Sequence, residues 1–185
     1  MEIKPLAILG CFEIQPRVFH DQRGQFVKVF HEELFKSHGL NTKFSEEYYS
    51  HSKKGVVRGM HFQTPPHDHV KVVYCVHGEV FDVVVDLRQG SPTYQQSVTV
   101  NLSAEKANMI YIPRGMAHGF CAQSEMATMV YKVETIHNAA HDAGILWSSV
   151  GVKWPVSGPV VSERDRSFVD LENFQSSFFS SSCDI

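Results

Sequence analysis

The sequence predicts a mainly β chain, an antiparallel β-barrel or jelly-roll with a few short helices. Three observations predict it. Apolar runs rich in β-branched and aromatic residues are short, as in Val70 to Val76, Val80 to Leu87 and Met109 to Ile112. They recur at roughly ten-residue spacing, as in sandwiches and barrels. Turn signals close them: His77-Gly78, then Gln89-Gly90-Ser91-Pro92, then Pro113-Arg114-Gly115.

Along the chain, the opening MEIKPLAILGCFEIQP reads as a strand start. It lacks the basic and apolar regions of a signal peptide. Gly24 to Phe30 is strand-like. His31 to His38 is the one convincing helix, ended by Gly39. Further strands are expected at Val56 to Phe62, Gln95 to Leu102, Gly119 to Ala122 and Met126 to Thr135. VFDVVV at Val80 to Val85 is apolar nearly throughout, so both faces of that strand should be covered. Asn138 to Arg164 has Gly and Pro with weak periodicity and reads as extended chain wrapping the sheet. The expected organisation is one domain over residues 1–170 and a C-terminal tail over 171–185. The Ser- and Phe-rich stretch Phe174 to Ile185 is expected to be loosely held, with Phe178-Phe179 available to dock on a neighbour.

Composition excludes several classes. The 185 residues carry 17 basic and 20 acidic side chains, net −3, with no basic surplus for nucleic-acid phosphates. No apolar run approaches the ~20 residues of a membrane span. Cys11, Cys75, Cys121 and Cys183 are scattered without a CxxC pair, so reduced, partly buried thiols and a cytoplasmic location are expected. The unusual figure is 11 histidines. Histidine is both a proton carrier near neutral pH and a common metal ligand.

Three segments concentrate chemistry. GVVRGMHFQTPPHDHVK places Arg58, His61 and Lys71 on or beside adjacent strands around Pro65-Pro66. Regular alternation would separate Arg58 from His61, and a bulge at Gly59 would bring them together. IPRGMAHGF contains Pro113, Gly115 and His118 in the P-x-G-x-x-H pattern of cupin-type barrels, where the turn aims the histidine into the barrel mouth. SERD, Ser162 to Asp165, offers a carboxylate that could orient a distant histidine.

Together these stretches resemble the nucleotide-sugar epimerase family typified by dTDP-4-dehydrorhamnose 3,5-epimerase. FHDQRGQF (Phe19 to Phe26), VVRGMHFQ, GEVFDVVVDLRQGSPTY, IPRGMAHGF, MVYK (Met129 to Lys132) and GVKWP…SERD occur in family order from about Gly10 to Asp165. The resemblance implies a cupin-like fold, a homodimer with exchanged strands, and a nucleotide-diphosphate-linked 4-keto-6-deoxyhexose as substrate. It implies His61 as base, Asp165 as its partner and Tyr131 as acid on the opposite face. Lys71 and His118 would hold the developing enolate oxygen. Arg23 and Arg58 would contact the diphosphate or sugar, and Phe26 would pack on the base, from the neighbouring subunit. The chemistry agrees. Inverting a carbon beside a ketone needs a base on one face, an acid on the other and donors at the oxygen. It needs neither metal nor redox cofactor.

The departures from the family pattern lie away from this chemistry. Lys28 stands for an acid, Glu46 and Tyr48 for a Gln-x-Asn pair, and His137 for a base-stacking tyrosine. Trp147-Ser148-Ser149-Val150 stands for Trp-Asn-Asp-Pro. Cytosine offers an acceptor at N3 and a donor at N4, whereas thymine N3 is a donor. A lysine and a new glutamate therefore fit a CDP-linked 3,6-dideoxy sugar inverted at C5 as an alternative to dTDP-linked 3,5-epimerisation. Two other readings compete. One is a metal-dependent cupin using His67, His69 and His118, though Lys71 would put a cation beside the metal. The other is a non-catalytic sugar-binding cupin, for which an acid and base on opposite faces serve no purpose.

Overall fold

The computed structural model describes residues 1–180. The strands are β1 (Glu2–Pro5), β2 (Phe12–Gln15), β3 (Val18–Asp21) and β4 (Gly24–Val27), followed by helix α1 (Glu32–Ser37). Then come β5 (Glu46–Lys53), β6 (Val57–Gln63), β7 (Lys71–His77), β8 (Glu79–Asp86) and β9 (Ser97–Ser103). The last are β10 (Met109–Ile112), β11 (Met116–Ala122), β12 (Met126–Val133) and β13 (Asp142–Gly144), with a short helix α2 (Glu163–Arg166).

Two sheets form the barrel. One has the order β1-β2-β10-β7-β12-β5, the other β13-β6-β11-β8-β9. Every pairing between these strands is antiparallel. Their inner faces meet in one core, with Val73, Ile110 and Met129 from the first sheet against Val84, Leu102 and Phe120 from the second. This is the mainly β, cupin-like architecture expected.

β8 shows why its sequence is apolar throughout. Val80 and Val84 face the inner core, while Val83 and Val85 pack outward with Ile145, Leu171 and Phe178. The outer face of the first sheet is covered in turn by Phe35 of α1 and by Leu40. The helix matches expectation, with His31 and His38 as its caps.

One expectation needs correction, and one strand was not anticipated. The stretch from Phe174 is not loosely held along its described length. Leu171 and Phe178 are buried, and the Phe178 ring packs edge-on against Phe62 at 5.6 Å. Gln89 N–H donates to the Phe178 carbonyl at 2.9 Å, which fixes the segment as well. The physical reason is that β6 and β8 expose apolar side chains on their outer face, and this segment covers them. Residues 181–185 of the expected tail, with Cys183, lie outside the described residues. The unanticipated strand, β5, is full length although its sequence, EEYYSHSK, shows no apolar alternation. It is the edge of its sheet, with one face toward a polar cavity and the other toward solvent, so hydrophobic periodicity could not reveal it.

Cys11, Cys75 and Cys121 are free and buried. Among the described residues no helix is long and apolar enough to cross a membrane.

Candidate active site

A cavity of about 470 Å³ opens between the two sheets. The second sheet contributes Arg58 and His61 from β6 and His118 from β11. The first contributes Lys71 from β7, Tyr131 from β12, and Glu46, Tyr48 and Ser50 from β5. His137, just beyond β12, completes the rim.

Arg58 and His61 share this cavity because β6 is bulged. His118 pairs with His61 and Phe120 with Arg58, so Gly59 and Met60 together oppose Gly119 alone. Glycine is required on both strands here. A Cβ at Gly59 would lie 2.5 Å from Gly119 Cα, and Gly59 has φ +131°, a region L side chains rarely adopt. A Cβ at Gly119 would lie 2.7 Å from the Arg58 carbonyl.

Two histidine–carboxylate pairs are built across long sequence distances. His61 Nε2 is 2.8 Å from Asp165 Oδ1, and the Gly59 N–H donates to Asp165 Oδ2 at 3.1 Å. Asp165 sits behind His61, in a helical turn whose N-cap, Ser162, accepts from the Asp165 N–H at 3.1 Å. Burial pulls the Asp165 carboxyl upward, but the bonds from His61 and Gly59 outweigh it and hold it below the usual carboxylate range. His118 Nε2 is 2.8 Å from Asp82 Oδ2, both nearly fully buried. Burial raises Asp82 despite His118 and Lys71, and its Oδ1 has no partner among the described residues.

The Tyr131 hydroxyl lies 3.2 Å from Ser50 Oγ, and burial pushes the phenol well up, so it stays protonated. Lys71 is 8% exposed, and its ammonium donates to the His61 carbonyl at 3.3 Å. Burial lowers it to about 8, although Asp142 and Asp82 pull the other way. Arg58 is aimed by Ser52 Oγ at 3.0 Å and by the His51 carbonyl at 3.1 Å. Glu46 accepts the His137 backbone N–H at 3.0 Å.

Not all the expected residues meet here. Arg23, Phe26 and Lys28 are not in this cavity. They lie on or just after the separate hairpin β3–β4, where Phe26 is 62% exposed and Arg23 pairs with Asp21. The metal reading is not supported by the arrangement. His67 packs against His141 and bonds Asn138, His69 bonds Thr135, and His118 is held by Asp82. No group of three potential ligands gathers among the described residues.

Sequence reasoning missed Asp82, Ser50, Asp142 and Arg164. Asp82 had a signal, a lone inward-facing acid in an apolar strand. Arg164 adjoins Asp165 and binds Asp142 at 2.7 Å across the rim, a pairing with no local signature.

Comparison with known proteins adds the family. A family model described as dTDP-4-dehydrorhamnose 3,5-epimerase matches residues 5–173. The dTDP-4-dehydrorhamnose 3,5-epimerase of Shigella flexneri is 44% identical over 166 residues, covering 86% of this chain and 92% of the relative. A 4-keto-6-deoxy sugar epimerase from the novobiocin gene cluster of Streptomyces spheroides superposes with TM-score 0.90 at 36% identity, over 93% of this chain and 88% of that one. The dTDP-6-deoxy-D-glucose-3,5-epimerase of Legionella pneumophila, solved with dTDP-4-keto-L-rhamnose, gives TM-score 0.92 at 32% identity, over 97% and 99%. The chain therefore belongs to the dTDP-4-dehydrorhamnose 3,5-epimerase family and is an isomerase-class, nucleotide-sugar epimerase of cupin-like fold.

Proposed function

We propose that this enzyme inverts the carbons flanking the C4 ketone of a dTDP-linked 4-keto-6-deoxyhexose through an enolate. The observation that supports the reading is that His61 on β6 and Tyr131 on β12 face one cavity from opposite sheets, as a base and an acid for opposite faces of one carbon would need to. Asp165 holds a proton on the imidazole nitrogen it faces and leaves the other nitrogen to take the α-proton. The C–H electron pair moves into the ring and onto the ketone oxygen. The Lys71 ammonium, with His118, stabilises the charge that collects there. The Tyr131 hydroxyl then gives its proton to the opposite face of the carbon, completing inversion.

Arg58 takes one part of the diphosphate. The hairpin β3–β4 supplies the rest from a second subunit. Phe19 and Phe26 lie 6.2 Å apart, more than half exposed, with Arg23 at the turn. Such a surface suits insertion into a partner's cavity, Phe26 against the base and Arg23 at the phosphates. Supporting dTDP over CDP, the Shigella flexneri and Legionella pneumophila relatives are dTDP-sugar enzymes by name, and the latter was solved with a dTDP sugar. Glu46, one of the two residues that motivated a CDP sugar, is engaged with the His137 backbone N–H.

Proton NMR in deuterated water, with dTDP- and CDP-linked 4-keto-6-deoxy sugars, tests both parts. Deuterium should enter at C3 and C5 of the dTDP sugar, and the His61→Asn variant should abolish it. Exchange confined to the CDP sugar overturns the nucleotide assignment. Unchanged exchange in the variant removes His61 as base.

A further inference from the structure

Of the alternate residues on one face of β5, Glu46, Tyr48 and Ser50 line the cavity and Ser52 is buried beside it; three of the four each hold one part of the site by hydrogen bonding. Glu46 holds the His137 backbone, Ser50 the Tyr131 hydroxyl and Ser52 the Arg58 guanidinium. The remaining member, Tyr48, acts through its ring. It lies directly opposite Tyr131 in the β5–β12 register, and the two rings stack with centroids 5.0 Å apart and planes 19° apart. His118 approaches the Tyr131 ring edge-on at 6.2 Å. Tyr48 is 45% exposed and Tyr131 only 8%, so the Tyr48 ring is the outer cover of the Tyr131 ring. Ser50 restrains the hydroxyl alone. The plane of the ring, and hence the direction in which the O–H points, depends on what it stacks against.

We propose that Tyr48 is a positioning residue that holds Tyr131 at the angle from which its proton reaches the far face of the reacting carbon, and so determines whether deprotonation ends in inversion or in return. The proposal rests on Tyr131 being the acid. After His61 takes the α-proton, the enolate has two fates. Protonation by Tyr131 forms the new C–H bond on the opposite face; the phenolate then regains a proton from solvent and the His61 imidazolium releases one to it. Reprotonation by the His61 imidazolium restores the original configuration, carrying solvent hydrogen if the imidazolium has exchanged. A Tyr131 ring held out of line favours the second fate without slowing the first proton abstraction.

The test is the ratio of inverted product to deuterated but uninverted sugar, measured by proton NMR in deuterated water. In Tyr48→Ala and Tyr48→Leu, wash-in of deuterium should persist while the ratio falls by up to about 10²-fold, the cost of a reacting group misplaced by ~1 Å. Tyr48→Phe, which keeps the ring, should restore the parent ratio. Loss of fold stability would lower wash-in and inversion together and leave the ratio unchanged, and that result in both Ala and Leu variants overturns the proposal. Tyr131→Phe separates the two levels. If it lowers the ratio and the Tyr48 variants do not, only the positioning role fails. If Tyr131→Phe keeps the parent ratio, the acid assignment itself fails.

Discussion

Replacing Lys71 with methionine should make the protein more stable and nearly inactive. Lys71 is 8% exposed, and burial lowers its pKa from 10.5 to about 8. At ~1.36 kcal/mol per pH unit, that depression is a folding penalty of about 3 kcal/mol for the charged side chain. Because the folded value lies below the unfolded one, the penalty is complete below about pH 8, shrinks toward 10.5 and vanishes above it. Methionine fills similar space without charge, but forfeits the bond to the His61 carbonyl, worth ~1 kcal/mol. The variant should therefore gain about 2 kcal/mol near neutral pH. Urea unfolding of both proteins near pH ~7 and ~9.5 measures this, and most of the difference should disappear at the higher pH. Deuterium wash-in by the variant should fall by about 10²–10³, the cost of losing a charge aimed at an enolate. Parent activity should decline above about pH 8 as the ammonium deprotonates. A Lys71→Met protein that is less stable by the same amount at both pH values refutes the reasoning, since the ammonium would then carry no burial penalty.

Three further outcomes follow from the packing. Gly59→Ala forces a Cβ to 2.5 Å from Gly119 Cα at φ +131° and should cost about 3 kcal/mol in urea unfolding; parent-like stability would contradict the close strand contact. Asp86 is fully buried and takes bonds from Arg88, Ser91 and Thr93. Burial pulls it up, but those donors hold its carboxyl below the usual range, so its contribution is complete above ~3.9 and lost as pH falls through the lower folded value. Asp86→Asn should lower stability by about 3 kcal/mol at neutral pH and flatten the loss on acidification, as read by circular dichroism; an unchanged acid profile would count against that account. Phe178→Ala should cost about 3 kcal/mol and open the C-terminal segment to protease, whereas an unaltered protein would show that this segment is not part of the core.

How readable each part was depended on whether its signal is local. β8 declared itself because burial on both faces requires a continuous apolar run. The Arg58–His61 juxtaposition was readable as a conditional, since a bulge at Gly59 could produce it, and the register has that bulge. β5 was invisible because an edge strand facing a polar cavity has no hydrophobic period to show. The segment around Phe178 read as a tail because serine and phenylalanine without periodicity look the same whether solvated or pressed onto a neighbouring face.

By itself the sequence determined the β architecture and the ordered motifs that place the chain in its family. These are encoded by neighbours: strand period, turn glycines and short motifs. Tertiary structure decided the geometry of the Asp165–His61 pair and supplied the partners that no motif implied. Asp165 reaches His61 across 104 residues and Asp82 reaches His118 across 36, while Tyr48 meets Tyr131 through strand register. It also placed the Phe26 hairpin outside its own cavity. No local pattern carries such pairings, because they are fixed only when the two sheets close on a common core and each buried charge must find a partner there.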